Sequence, residues 1–570
     1  MSSSLQLPPA IPPSEPGGYH PPRWLAGALF ALLTVIGIWL VPPLFDYDGY
    51  TNWLYGQAVL DNLNPSHLLW IPLQSVFWRV FGWLHWTGPR PFQIVGILLT
   101  AVACVGQFWL LAQRREDVVL ALVMAVGLAT APQIWFVTPL NQPYPLLFLL
   151  EVALLWHWRD RFKPTGWSLL VLGLVVVAAA LLHQAALLWA GVVVILIGSD
   201  SAGTVACRLR RAMAWGLGVG AVVGLGYAMA AWLQGIRSPL PMLHWAQGYV
   251  TGIHGVFQER FGNVIKGGFG MLGALVQTDR LAIWLNERNT ANQLFFQLAA
   301  AEALLMALAI AVGCSRQGRA WLRCWLSQPL GRACLALLAA WSLFCIAWEP
   351  TNSKFWSVNL FPCSVLVMLV ARALSRRVRC VGFLIAVAVL GWNLYENHAA
   401  DQHNATRFPD PQLSQIHQQV QPRDRLVFMQ RQWVDQVDYD LLTECLAWEN
   451  FTNVTTLVER YLAAPTPNWE TAARQEFDGV LRAGGKIFVS DLVFNLQTYQ
   501  SLANDGLLAA YSIDVYRAIQ GPDLYQRVQV FFAAYDRQPA ELQLGADRFW
   551  LIRDWHQPRA NISLTPAGEK

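Results

Sequence analysis

The chain has 570 residues, is 55% hydrophobic and only 13% charged, and carries 28 tryptophans. Soluble proteins average about 25% charged residues, so this length with a mean hydropathy of +0.34 excludes an ordinary soluble domain and reads as a polytopic membrane protein. A net charge of +4 is too small to point to nucleic acid, and nine cysteines without a CxxC pair, all but Cys445 in apolar segments, imply no disulfide framework.

Residues 1–22 are rich in Pro and Ser, lack a basic start, and read as a disordered tail. A span needs ~20 apolar residues. Candidate spans are 24–44, 92–112, 118–138, 144–158, 166–181, 184–199, 212–234, 293–313, 333–348, 356–371 and 380–395, about eleven in all. Alternate loops hold the arginines: Arg114-Arg115, Arg159 to Lys163, Arg208 to Arg211, Arg316 to Arg323, and Arg376 to Arg379. The positive-inside rule makes those loops cytoplasmic, so the tail is inside and everything after about 396 is outside.

The first outer loop, 46–90, opens with FDYD. In an extended segment residues two apart point to the same side, so Asp46 and Asp48 can face one site; on a helix they would diverge by ~200°. Pro42-Pro43 before and Gly49 after favour the extended case. Thr51 is a plausible N-cap for a helix running to Asn64-Pro65. The stretch 67–86 is apolar enough to imitate a span, but a crossing there would put Arg114-Arg115 outside. It carries Pro72 and Arg79 and reads as a helix lying in the interface. His67 opens it.

Further along, Glu151 lies within the fourth span and His183-Gln184 near the junction of the fifth and sixth. Ionisable groups inside a membrane are candidate functional residues; the plain alternative is that Glu151 hydrogen-bonds within the bundle. The second outer loop, 235–292, is Gly-rich and holds His244, His254, Glu259, Arg260 and Lys266. It reads as irregular backbone able to line a cavity. A short third loop, WEPTNSKFWSVN, 348–359, brackets Glu349, Asn352 and Lys354 with Trp348 and Trp356. From 396 the composition becomes that of a soluble domain. RLVFMQ (425–430), KIFVSD (486–491), VQVFFAAYD (528–536) and RFWLIRDW (548–555) read as strands, and TAARQEFDGVLRAGG as a helix ending at Gly484. The alternation predicts a C-terminal extracytoplasmic α/β domain. No internal repeat is evident, which disfavours inverted-repeat transporters.

A carboxylate motif at the outer end of the first span, followed by a loop of two interfacial helices, resembles the GT-C superfamily of membrane glycosyltransferases. That group includes protein mannosyltransferases, aminoarabinose transferases of lipid A, oligosaccharyltransferases and rhizobial lipopolysaccharide transferases. The likeness covers about 20–400, with an echo in TPLNQPYPLLFLLEVALLW, 138–156. Many relatives carry an acid there; this chain has Asn141 and Gln142, which speaks against one metal held by two acidic loops. The resemblance implies an α-helical membrane domain over 23–395. It also implies transfer of a sugar from a polyprenyl-phosphate carrier to a glycan, lipid or protein acceptor outside the cytoplasmic membrane.

The residue types suit that chemistry. An acceptor hydroxyl needs a base or an orienting carboxylate, worth ~10²–10⁴-fold, and Asp48 or Asp46 would supply it. Together they offer hard oxygen ligands for a divalent cation, Mg or Mn, if one is used. The departing lipid phosphate needs cations: Lys354 with Asn352 first, Arg260 and Lys266 second, with His254 in the same Gly-rich loop. His67 would contact acceptor or carrier phosphate, and Glu349 would pair with Lys354 or order the acceptor. Each has a plain reading beside it: acids beyond a helix end and basic residues in loops are commonly solvated. Two other functions stay open. Glu151 and His183 would suit a transporter or a flippase for lipid-linked saccharides, and the outer domain would suit a partner-binding scaffold.

Overall fold

A computed structural model describes residues 19–40, 63, 67–85, 90–159, 165–199, 203–252, 262–276, 322–323, 325–348, 352–374, 376–407, 410–421, 423–429, 433–434, 437–438, 454–457, 469–494, 524–544 and 547–555. The chain divides into two compact units, 1–402 and 403–570.

The first unit is helical. In order come α1 (Arg23–Leu40), α2 (Trp70–Trp83), α3 (Arg90–Leu111), α4 (Val118–Ala129), α5 (Pro132–Val137), α6 (Tyr144–His157), α7 (Gly166–Leu182), α8 (Leu187–Gly198) and α9 (Val205–Leu233). Then come α10 (Pro239–Gly252), α11 (Gly262–Leu275), α12 (Pro329–Trp348), α13 (Ser353–Trp356), α14 (Leu360–Ala373) and α15 (Arg376–Arg407). Among the described residues, six stretches are long and apolar enough to cross a membrane: Arg23–Leu40, Arg90–Leu111, Val205–Leu233, Pro329–Trp348, Ser353–Arg372 and Val378–His398. Three shorter apolar helices, Tyr144–His157, Gly166–Leu182 and Gln184–Gly198, join them. The chain is a multi-pass membrane protein. The predicted span 293–313 lies outside the described residues.

Lipid is as apolar as leucine, so such a bundle is held by close packing and interhelical hydrogen bonds rather than by escape from water. Trp189, Trp341, Tyr144, Phe108, Phe148 and Phe361 fill its interior. Gln107 of α3 donates to the Phe361 carbonyl at 3.0 Å and to Ser364 Oγ at 2.7 Å. Trp215 of α9 donates to the Leu169 carbonyl at 2.9 Å, and Asn397 of α15 to the Thr130 carbonyl at 2.9 Å. Large apolar side chains face outward along α9, among them Leu209, Leu217, Leu225 and Met229. Trp24 and Trp39 stand exposed near the two ends of α1, where indole rings suit the membrane–water boundary.

Two predicted segments take a different form. The span expected at 118–138 is broken into α4 and α5, with Pro132 in the first turn of α5, where its missing N–H costs nothing. The Gly-rich stretch expected to be irregular is helical over Pro239–Gly252 and Gly262–Leu275. A close approach explains Gly267. A Cβ on Gly267 would lie 2.9 Å from Trp356 Cζ2 and 3.1 Å from Ile346 Cγ1, so α11 can sit against α12 and α13 only without one. The predicted helix after His67 is present as α2. At 1.5 Å per residue its 14 residues reach only ~21 Å, short of the ~30 Å hydrocarbon core.

The second unit includes α16 (Asp410–Gln419). Its strands are β1 (Arg425–Phe428), β2 (Trp433–Val434), β3 (Val437–Asp438), β4 (Val454–Thr456), β5 (Ile487–Ser490), β6 (Tyr535–Leu544) and β7 (Asp547–Trp555), with helices α17 (Trp469–Arg482), α18 (Asp491–Phe494) and α19 (Leu524–Ala533). The five-stranded sheet runs β4-β1-β5-β7-β6. β1 pairs in parallel with β4 and β5, while β7 is antiparallel to β5 and β6. All four residues of IFVS in β5 are buried, as expected of a strand covered on both faces. α17 ends with Gly484 at φ +72°, a left-handed geometry that suits a helix C-terminus.

The strand expected at 528–536 is a correction. Leu524–Ala533 is helical and only Tyr535 onward is strand. Val528, Phe531 and Phe532 are all buried, at the i, i+3, i+4 spacing of one helical face. Phe531 lies 5.4 Å from Trp469 and 6.0 Å from Phe477 of α17, ring centre to ring centre. That packing overrides the strand preference of β-branched and aromatic residues.

Candidate functional site at the histidine end of the bundle

One end of the bundle gathers the close of α1, the start of α3, the turn before α6, the break between α7 and α8, and α13. Arg90 donates to the Ile38 carbonyl. Trp70 donates to the Asn141 carbonyl at 3.0 Å, with Asn141 held at φ +52°, a conformation that asparagine tolerates better than most residues.

The α7–α8 break is built from backbone polarity. The last carbonyls of a helix lack partners within it. Here Leu69 N–H reaches the Leu181 carbonyl at 2.8 Å, and His67 Nδ1 lies 3.0 Å from the Leu182 carbonyl. A carbonyl only accepts, so Nδ1 carries the hydrogen and the lone pair of neutral His67 is on Nε2. His183, at φ −148° and ψ 116°, turns the chain. Its Nδ1 accepts from Ala185 N–H at 3.3 Å, so its hydrogen is on Nε2, 3.5 Å from the Tyr144 hydroxyl.

Around this break the side chains converge. The His67 and His183 rings are 5.3 Å apart, edge to face. Tyr144, Trp341, Phe344 and Phe355 surround His183 with centroids at 5.7, 5.7, 6.0 and 6.1 Å. The Lys354 ammonium stands 5.9 Å from the Tyr144 ring centre, within cation–π range. Asn352 caps α13, its side-chain oxygen accepting from Lys354 N–H at 3.2 Å, so it fixes the backbone that presents Lys354. Burial, then the neighbouring His67 and Lys354, hold His183 well below the ordinary histidine range, which keeps it neutral.

The structure thus brings together His67, Lys354 and Asn352 of the predicted site residues. Asp46, Asp48, Glu349, Arg260 and His254 lie outside the described residues. Tyr144 and His183 were not foreseen as partners of His67 and Lys354. Glu151, expected to hydrogen-bond within the bundle, is buried with its Oε2 lacking a hydrogen-bond partner among the described residues. At the other end Arg372 closes on Asp117 at 2.9 Å, both side chains nearly inaccessible, and also donates to the Leu111 carbonyl at 3.0 Å.

No described group of three or more His, Cys, Asp or Glu side chains is placed to hold a metal.

No family model and no curated protein matches the chain. Solved structures do. One is an oligosaccharyltransferase of Archaeoglobus fulgidus in complex with zinc and sulfate, at 13% identity and TM-score 0.39 over 65% of this chain and 53% of that one. Another is the same enzyme tethered through a disulfide to an acceptor peptide containing an NVT sequon, at 10% identity and TM-score 0.41 over 91% and 72%.

Proposed function

We propose that the chain is a glycosyltransferase that moves a sugar from a polyprenyl-phosphate carrier to an acceptor at the histidine end of the bundle. In this reading that end faces the outside of the cytoplasmic membrane. The observation that carries it is the convergence of Lys354, His67, His183 and Tyr144 at the end where α1 runs on into FDYD. In the reaction the acceptor oxygen attacks the anomeric carbon, and the bond from that carbon to the phosphate oxygen breaks. The phosphate leaves with the electron pair, and the acceptor proton passes to Asp48 or Asp46. Lys354 answers the charge growing on the phosphate, the kind of fixed cation that contributes most in a partly dry site. Glu349 would orient Lys354 or the acceptor, and Arg260 and His254 would extend the contact to the carrier. If a divalent ion takes part, Asp46 and Asp48 are the residues to hold it.

The observation favouring a transporter instead is the buried Glu151, whose Oε2 has no hydrogen-bond partner among the described residues. The two readings part in one experiment. Purified protein is incubated with radiolabelled polyprenyl-phosphate sugars and cell-envelope acceptors. We expect label to move to an acceptor, and Asp48→Asn or Asp46→Asn to slow that transfer by ~10²-fold or more. Unchanged rates in both variants would remove the carboxylates from the mechanism. Label that crosses a vesicle membrane without leaving its carrier would favour transport.

A further inference from the structure

Helix α2 carries a polar group that the proposed reaction leaves unused. Its bundle-facing side is Trp70, Ile71, Gln74 and Phe81, while Val76 and Val80 on the other side are exposed. Gln74 is 0% exposed, and among the described residues neither its Nε2 nor its Oε1 has a hydrogen-bond partner. A buried amide with both ends unmet is costly, and native interiors hold few such groups. Its neighbours on that side are apolar, so leucine or methionine would pack there without the cost.

The place of Gln74 is set from both ends of the helix. At the start, Leu69 N–H donates to the Leu181 carbonyl at 2.8 Å and the Trp70 indole to the Asn141 carbonyl at 3.0 Å. These bonds tie α2 to the histidine end, beside His67 and His183. One and two turns beyond Gln74, Phe77 and Phe81 meet Phe92 of α3, with ring centres 6.4 and 5.2 Å apart. Arg90, which opens α3, donates to the Ile38 carbonyl near the close of α1. So α2 reaches from the histidine cluster toward the helix that runs on into FDYD, and Gln74 lies between the two fastenings. In the carrier reading the phosphate lies by Lys354 and the acceptor by the acids that follow α1. The sugar being passed lies between them, under the middle of α2.

The amide itself narrows the ligand. It offers two donors and an acceptor. An anion answers only the donors, and a cation answers only the oxygen. A sugar ring answers both, since each hydroxyl donates and accepts and adjacent hydroxyls stand at fixed spacing. We propose that Gln74 recognises the transferred sugar, its amide donating to one ring hydroxyl and accepting from the next. Without a sugar, α2 closes on the bundle and the amide is unmet; with a sugar beneath α2, both ends are satisfied. The proposal rests on the carrier reading above and adds the residue that reads the sugar.

The probes are undecaprenyl phosphate, bare and bearing mannose, glucose or galactose, titrated calorimetrically into the detergent-solubilised full chain. Gln74→Met keeps nearly the same volume and removes the amide; Gln74→Leu repeats the reading with a different apolar shape. Ligand-free, these variants should unfold at a higher temperature than wild type, because an unmet polar group has left the interior. They should bind the sugar-bearing carrier that wild type prefers about tenfold more weakly, the loss of two neutral hydrogen bonds, and bind the bare carrier as wild type does. Val76→Ala, on the exposed side of α2, should change neither affinity. An unfolding temperature that stays or falls in both variants means an amide already met inside the protein, by a buried water or a side chain, and overturns the inference. So does a loss of affinity shared equally by bare and sugar-bearing carriers, or affinity for all four left unchanged. Each of these leaves the carrier reading standing. No binding of any of the four by wild type overturns both.

Discussion

At the scale of single residues, the account turns on Lys354. Its position is set by the Asn352 cap beneath it and by the Tyr144 ring beside it. A hydrogen bond to a charged group contributes about 1.5–3 kcal/mol, which corresponds to a ~10- to 150-fold effect on donor affinity. Lys354→Glu should therefore raise the donor KM by at least that factor or abolish turnover, as read by initial rates across donor concentration. Normal kinetics would remove the residue from the carrier site. Lys354 and His67 were legible in sequence as polar residues in outer loops. Their partners were not. His67 meets a carbonyl 115 residues away and Tyr144 meets His183 across 39, and no local pattern announces such pairs. The one readable sign was a histidine at a junction between two apolar runs, a place where an imidazole must find polar company.

At the scale of elements, apolar length located most of the helices, because a membrane demands a continuous hydrogen-bonded segment of fixed reach. The Gly-rich stretch misled for a physical reason. Glycine is a poor helix former in water, yet between packed helices its lack of a side chain is what permits contact. Gly267 and Gly218 make the contrast measurable. Gly267→Val would drive a side chain into Trp356 and Ile346, and overpacking of this kind costs about 1–3 kcal/mol. Gly218 has open space where its Cβ would be, so Gly218→Ala should raise stability by roughly 0.5–1 kcal/mol. Thermal unfolding in detergent should move down for the first and up for the second; equal shifts would undo the packing argument. In the second unit, α19 was misread because its composition suits a strand while its spacing suits a helix, and the spacing decided.

At the scale of the molecule, the two ends of the bundle differ in kind. One holds the buried Arg372–Asp117 pair with its carbonyl contact, a fixed structural join. Removing one member of such a pair costs about 3–5 kcal/mol, so Arg372→Ala should lower thermal stability sharply while Lys354→Ala lowers it little. The other end holds imidazoles, a phenol, an ammonium and an aromatic wall. The central claim is that the carrier phosphate sits at this second end. A polyprenyl phosphate bearing a photoreactive group beside its phosphate tests it most directly, with the crosslinked peptides mapped by mass spectrometry. The account predicts adducts concentrated on residues 67–70 and 352–356, lost in the presence of excess unlabelled carrier. Adducts concentrated around Arg372 and Asp117, or spread along the exposed face of α9 without competition, would contradict it.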